Sequence, residues 1–121
     1  RKKQIAVSLV GRLTRAQLFH ASLSGNEIRG KAKKQILRAI DRTERQRGFG
    51  DFYQHVLVAQ GSGEAAVDPY ARPYDLAPLK IIVEEAGGIF TAFDGRPTIY
   101  AGNAVSSNGL VHETVLKLLN Y

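Results

Sequence analysis

The chain has 121 residues, 44% of them hydrophobic and 23% charged, with a formal net charge of +6 and no cysteine. That length suits one domain with a modest core, and the balance of apolar and charged residues is ordinary for a globular protein. Disulfides and thiolate zinc sites are excluded and a cytoplasmic location is favoured, while no apolar run reaches the roughly 18 residues that a membrane span needs.

From the amino-terminal side, "QIAVSLV" (4–10) and "AQLFHASL" (16–23) read as short strands, rich in β-branched and aromatic residues and separated by the polar "GRLTR". Ser24 stands three residues before Glu27, the spacing of a capping box. Ile28, Ala32, Ile36 and Ile40 then recur every fourth residue with Leu37 beside them, which predicts an amphipathic helix over 27–44 with Ile28, Ile36, Leu37 and Ile40 inward. Its other face carries Arg29, Lys31, Lys33, Lys34, Arg38 and Arg42, expected in solvent.

"RQRGFGD" (45–51) interrupts the pattern with two glycines, and "FYQHVLVAQ" (52–60) reads as a short buried helix. "GEAAVD" (63–68) is a strand, followed by "PYARPYD", where two prolines argue against regular structure. A helix is expected after Asp75, with Pro78 in its first turn and its end at Gly87–Gly88. "GIFTAFDGRPTIY" reads as two strands around an Asp94–Gly95 turn, and "NAVSSN" as a last strand. Asn108 is placed to cap a final helix with Leu110, Val111, Val115, Leu118 and Leu119 on its apolar face. Strands alternating with helices give an α/β class in one domain spanning 1–121.

Charge is uneven along the chain. Residues 1–50 hold 13 Lys/Arg against 3 Asp/Glu, and residues 51–121 hold 4 against 8. A basic half suits an anionic partner such as nucleic acid, or a phosphorylated ligand, or simply a solvated helix face. The basic helix lacks interleaved aromatics, so nucleic acid is disfavoured. There is no methionine and the first residue is Arg, so residue 1 is not expected to be a natural start.

The candidate chemical groups are carboxylates at element ends. Asp75 opens a helix, where free N–H groups and the helix dipole favour an ionised oxygen donor. That environment serves a plain cap and a hard-cation ligand equally well. Asp68 ends a strand, the position from which side chains line the ligand crevice of α/β sheets, and Asp51 follows a glycine turn. His20, His55 and His112 show no metal-ligand spacing and receive no role. "GFGDF" lacks the phosphate-loop pattern, and Ser62, Ser106 and Ser107 lack a nucleophile-elbow context.

Together, "PYDLAPLKIIVEEAGG", "RGFGDFYQHVLVAQGSGEAAVDP" and "AGNAVSSNGLVHETVLKLL" resemble, in order and at fitting distances, the carboxyl-terminal half of the inositol monophosphatase family, and specifically its histidinol-phosphate phosphatase branch. The family's Trp is Tyr74 here, and its second Ala is replaced or displaced by Pro78. The Gly-Glu-Glu and Asp-Pro-x-Asp-Gly-Thr segments of the family's amino-terminal half, which bring most metal ligands and the water-activating groups, do not occur in the chain.

The resemblance implies a layered α/β sandwich with a mixed sheet flanked by helices. It implies a Mg²⁺-dependent phosphomonoesterase acting on a small phosphorylated metabolite. By position, Asp75 matches the metal-binding aspartate of that half, Asp68 an acidic residue that bonds substrate hydroxyl or amino groups, and Gly50 and Asp51 the substrate-contacting turn that Arg47 opens. It implies no activity for this half alone, a need for the missing amino-terminal half, and a homodimer as the expected assembly. The rival reading is a non-catalytic module whose basic helix binds an anionic partner.

Overall fold

A computed structural model describes residues 4–24, 30–49 and 51–120, with nothing described of the Asp51 side chain. Its strands are β1 (Gln17–His20), β2 (Arg45–Gly48), β3 (Ala65–Asp68), β4 (Ile89–Thr91) and β5 (Ala104–Ser107). Its α-helices are α1 (Gly30–Ile40), α2 (Asp51–Ala59), α3 (Pro73–Glu85) and α4 (His112–Leu119), and a short 3-10 turn spans Leu13–Arg15.

The strands form one mixed sheet in the order β2-β1-β3-β5-β4. β1 runs parallel to β2 and β3, and β5 runs antiparallel to β3 and β4. Alternation along each strand distributes side chains to two helical layers. Leu18, Ala65, Val67 and Val105 pack with Ile36, Ala39, Val115 and Leu119 of α1 and α4. On the opposite face, Phe90 and Ala104 pack with Leu76, Leu79 and Val83 of α3, and Phe19 and Ala66 pack with Leu57 and Val58 of α2. The layered α/β expectation therefore holds, with helices on both faces of a mixed sheet.

The same alternation sends the adjacent serines of β5 opposite ways. Ser106 meets His55 of α2 at 2.7 Å, and Ser107 meets His112 of α4 at 2.8 Å. The Thr91 hydroxyl donates to the Ala92 carbonyl at 2.8 Å, so its oxygen accepts from His112 Nε2–H, and His112 Nδ1 accepts from Ser107. Burial lowers the His112 pKa from 6.5 to about 4. The unfolded chain therefore takes up this proton at higher pH than the folded one. The associated stability is fully present above about pH 6.5 and is lost as pH falls toward 4, roughly 3 kcal/mol in all. Urea unfolding of the protein and of His112→Gln at pH 7 and pH 4 checks this. The variant should lack that part of the acid destabilisation.

Several expected elements are shorter or absent. Residues 4–10 form no strand. Instead Val7 N–H donates to the Ala86 carbonyl at 3.0 Å, and Asn108 Nδ2 donates to Ser8 Oγ at 3.1 Å and the Val10 carbonyl at 2.7 Å. The segment is thus bonded to a helix end and a side chain instead of a strand edge. The capping box and Ile28 lie outside the described residues. α1 ends at Ile40, where Thr43 Oγ1 donates to the Ile40 carbonyl at 2.8 Å and closes a turn. Its buried line is Gln35, Ile36 and Ala39. Leu37 is 40% exposed, not inward, because one residue turns the side chain about 100° from Ile36. Lys31 and Lys34 are exposed and Lys33 half-buried, whereas Arg38 Nε is tied to the Leu118 carbonyl of α4 at 3.0 Å.

Residues 45–48, read as a break, form β2. A strand of Arg, Gln, Arg and Gly carries no apolar alternation because it lies at the sheet edge, where charge also deters pairing with other chains. The second strand expected after Asp94 is absent. Arg96 N–H and Nε both bond the Asp94 carboxylate, at 3.0 and 2.7 Å, and Pro97 offers no ladder donor. The Arg96 backbone N–H is the chief cause holding the Asp94 carboxyl below its usual pKa. Asn108 Oδ1 accepts from Leu110 and Val111 N–H at 3.0 and 3.3 Å, one turn ahead of α4. On the apolar face expected for α4, Val115 and Leu119 are buried as read, whereas Leu110 is exposed.

Candidate functional site

The α2–α3 side of the sheet ends in a cleft of about 320 Å³ at the carboxyl end of β3. Asp68 closes that strand on the same face as Ala66 and enters the cleft. Asp75 enters it from α3, together with Leu76 and Leu79, while Phe52 of α2 and Tyr70 and Ala71 of the connecting loop complete the wall.

The sequence explains how Asp75 comes to sit there. Pro73 occupies the first helical position, where its missing N–H costs nothing, so the proline read as a barrier opens the helix instead. Arg72 holds the N-cap position without a side-chain cap, and Asp75 is the third helical residue, its N–H donating to the Arg72 carbonyl at 3.1 Å. Asp75 is therefore not the cap. Pro78 falls in the interior of α3 instead of its first turn and can give no N–H to the Tyr74 carbonyl one turn back. The Asp75 side chain is exposed in the first turn of a helix, where the dipole favours negative charge. Among the described residues it has no hydrogen-bond or ion-pair partner. At its far end α3 stops in paired bonds, Gly87 N–H to the Glu84 carbonyl at 3.0 Å and Gly88 N–H to the Val83 carbonyl at 2.9 Å, with Gly87 at φ +95°.

Asp68 is held more tightly. Its side chain is 13% exposed, Oδ1 accepts from Tyr70 N–H at 3.3 Å, and Oδ2 lies 4.0 Å from His55 Nε2. His55 is wholly buried in α2, and its Nε2 has no hydrogen-bond partner. Sequence reasoning gave His55 no role. The available signal was its helical spacing from Val58 and Ala59, which puts a titratable ring on the buried face of α2.

The other candidates are placed differently. Arg47 lies exposed on β2, its Nη1 donating to the Gln46 carbonyl at 2.8 Å, and it does not line the cleft. Gly50 is outside the described residues. Asp51 begins α2, next to the cleft residue Phe52. Among the described residues no three His, Cys, Asp or Glu side chains converge as a metal-binding group. The donor set suits a hard cation in kind, since Asp75 offers free carboxylate oxygen. It does not suit one in number, since among the described residues Asp75 is the one unencumbered acid lining the cleft. No helix among the described residues is long and apolar enough to cross a membrane.

Comparison with known proteins gives a consistent result. The chain is 40% identical over 119 residues to a histidinol-phosphatase of Streptomyces coelicolor, covering 97% of this chain and 44% of that protein. It is 40% identical over 120 residues to a histidinol-phosphatase of Mycobacterium tuberculosis, covering 99% and 46%. It superposes on an IMPase from Thermotoga maritima with a TM-score of 0.84 and 31% identity, over 98% of this chain and 45% of that one. A Zymomonas mobilis inositol monophosphatase shares the fold at a TM-score of 0.87 and 23% identity. The chain thus spans a little under half the length of these relatives, as a carboxyl-terminal half would. With the family profile matching residues 2–120, the chain belongs to the inositol monophosphatase family.

Proposed function

We propose that this chain is the carboxyl-terminal part of a Mg²⁺-dependent phosphomonoesterase that hydrolyses a small-molecule phosphate of the histidinol phosphate or inositol phosphate type. The observation that carries this reading is the shared cleft of Asp68 and Asp75 at a strand end and a helix start. Family membership and the histidinol-phosphatase relatives support the reaction class.

In this reading Asp75 supplies one carboxylate oxygen to a divalent cation, and the positive end of α3 favours an anionic phosphate beside it. Bound Mg²⁺ would neutralise the phosphate and stabilise the charge that develops as the ester breaks. Asp68 accepts hydrogen bonds from hydroxyl or ammonium groups of the substrate and so orients it. Phe52 and Tyr70 flank the cleft. By resemblance Gly50 and Asp51 form the substrate-contacting turn, which Arg47 opens from β2, outside the cleft wall.

One carboxylate leaves Mg²⁺ mostly hydrated and weakly held. The remaining ligands therefore belong to an amino-terminal half, and a homodimer of this half would not replace them. In a phosphate-release assay on histidinol phosphate and inositol 1-phosphate with millimolar Mg²⁺, this chain alone is expected to show no enzymatic turnover. Turnover should appear when the amino-terminal half is supplied. Metal-dependent turnover by the chain alone would overturn the account of the missing ligands.

A further inference from the structure

His55 is wholly buried between α2 and the sheet. Its ring lies 5.4 Å from that of Phe90, and Nδ1 meets Ser106 Oγ at 2.7 Å. Nε2 is one of two buried side-chain polar atoms without a partner among the described residues. The Asp68 carboxylate faces it, with Oδ2 at 4.0 Å.

Charge decides where the proton sits. With Nε2 bare, a lone pair would face a carboxylate oxygen across a desolvated gap, and two acceptors would repel. With Nε2 protonated, the N–H points at Oδ2 and Nδ1 can still accept from the Ser106 hydroxyl. At 4.0 Å the pair is not a hydrogen bond, and a closing movement of about 1 Å would make it one. A buried donor left unpaired is costly, so the gap has a drive to close.

We propose that His55 is a positioning residue for Asp68: Ser106 sets the ring, and Nε2–H fixes the rotation of the Asp68 carboxylate. Tyr70 N–H holds Oδ1 from the other side. The lone pairs left over face the cleft, where they receive donors. The inference rests on the cleft being the substrate site, and its test separates the two.

Long-range ¹H–¹⁵N imidazole spectra of the labelled chain examine the link without any activity. The expected result is a protonated Nε2 on His55 whose resonance moves in Asp68→Asn. A bare Nε2, or a resonance indifferent to that substitution, overturns the proposal. In the phosphatase assembled with its amino-terminal half, His55→Phe keeps the ring volume and removes the donor. It should raise KM for histidinol phosphate about tenfold while changing kcat less than about threefold. His55→Gln, whose amide can donate from the Nε2 position, should restore KM to within about threefold. Equal behaviour of the two variants would mean that His55 only fills space. If the assembled protein turns over no ester at all, the phosphatase reading fails, while the spectra still decide whether His55 positions Asp68.

Discussion

Asp75→Asn is expected to lower phosphate release by the assembled enzyme about 100- to 1,000-fold, the several kcal/mol that a metal supplies to a charged transition state. The substitution keeps shape and removes charge. The side chain is exposed and unpartnered in the first turn of α3, so nothing in the fold depends on it beyond the dipole. That contribution is about 0.3–1 kcal/mol, and the melting temperature should fall by no more than about 5 °C. The activity loss and the small stability loss are measured on the same sample, by phosphate release against Mg²⁺ concentration and by thermal unfolding. Turnover within threefold of the unaltered enzyme would remove Asp75 from the metal site.

The largest expected stability effect lies at the other end of the same helix. A Cβ on Gly88 would collide with the Ser107 carbonyl oxygen and stand 2.9 Å from Val83 Cγ1 and 3.0 Å from Val7 Cγ1. The side chains can give slightly, but the carbonyl cannot, because Ser107 lies in β5 opposite Ile89 of β4. Gly88→Ala is therefore expected to cost about 3 kcal/mol or more, lowering the melting temperature by about 10–15 °C. Gly102→Ala is the control. That glycine has φ +82° but nothing within 4 Å of a Cβ, so only backbone strain of about 1 kcal/mol is added. Urea unfolding with an unchanged slope would confirm that both act on the native state.

Those two residues were readable in advance for different reasons. Gly87–Gly88 follows a long apolar helix, a pattern whose physics is local, and the paired bonds at the end of α3 bear it out. Asp75 was visible through its setting, although as a cap, a role that the structure gives to Arg72. Burial imposes a period on the core lines of α1 and α4, which made those helices legible, whereas β3 and β5 are buried almost throughout and stand out as short runs of small and apolar residues. β2 was not, since an exposed edge of Arg, Gln, Arg and Gly has no buried face to impose one. Pro73 was misread because the same residue bars a helix interior and suits its first position. His55 was invisible because its meaning comes from Asp68 and Ser106, 13 and 51 residues away in the chain and brought to it only by the sheet.

The segment 4–10 joins the sheet through no ladder, and its bonds to Asn108 span 98 and 100 residues. Closing a loop of that length costs on the order of 4 kcal/mol in chain entropy before any contact repays it. The two Asn108 bonds can therefore form only after the turn following β5 exists, whereas Val7 finds its partner in the Ala86 carbonyl earlier in the chain. At about 5–20 residues per second of synthesis, Ser8 and Val10 would wait about 5–20 s for Asn108 to be made. For that interval the Ser8 hydroxyl and the Val10 carbonyl lack the amide that holds them in the fold, and this stretch of the newly made chain stays tethered only through Val7 at the end of α3.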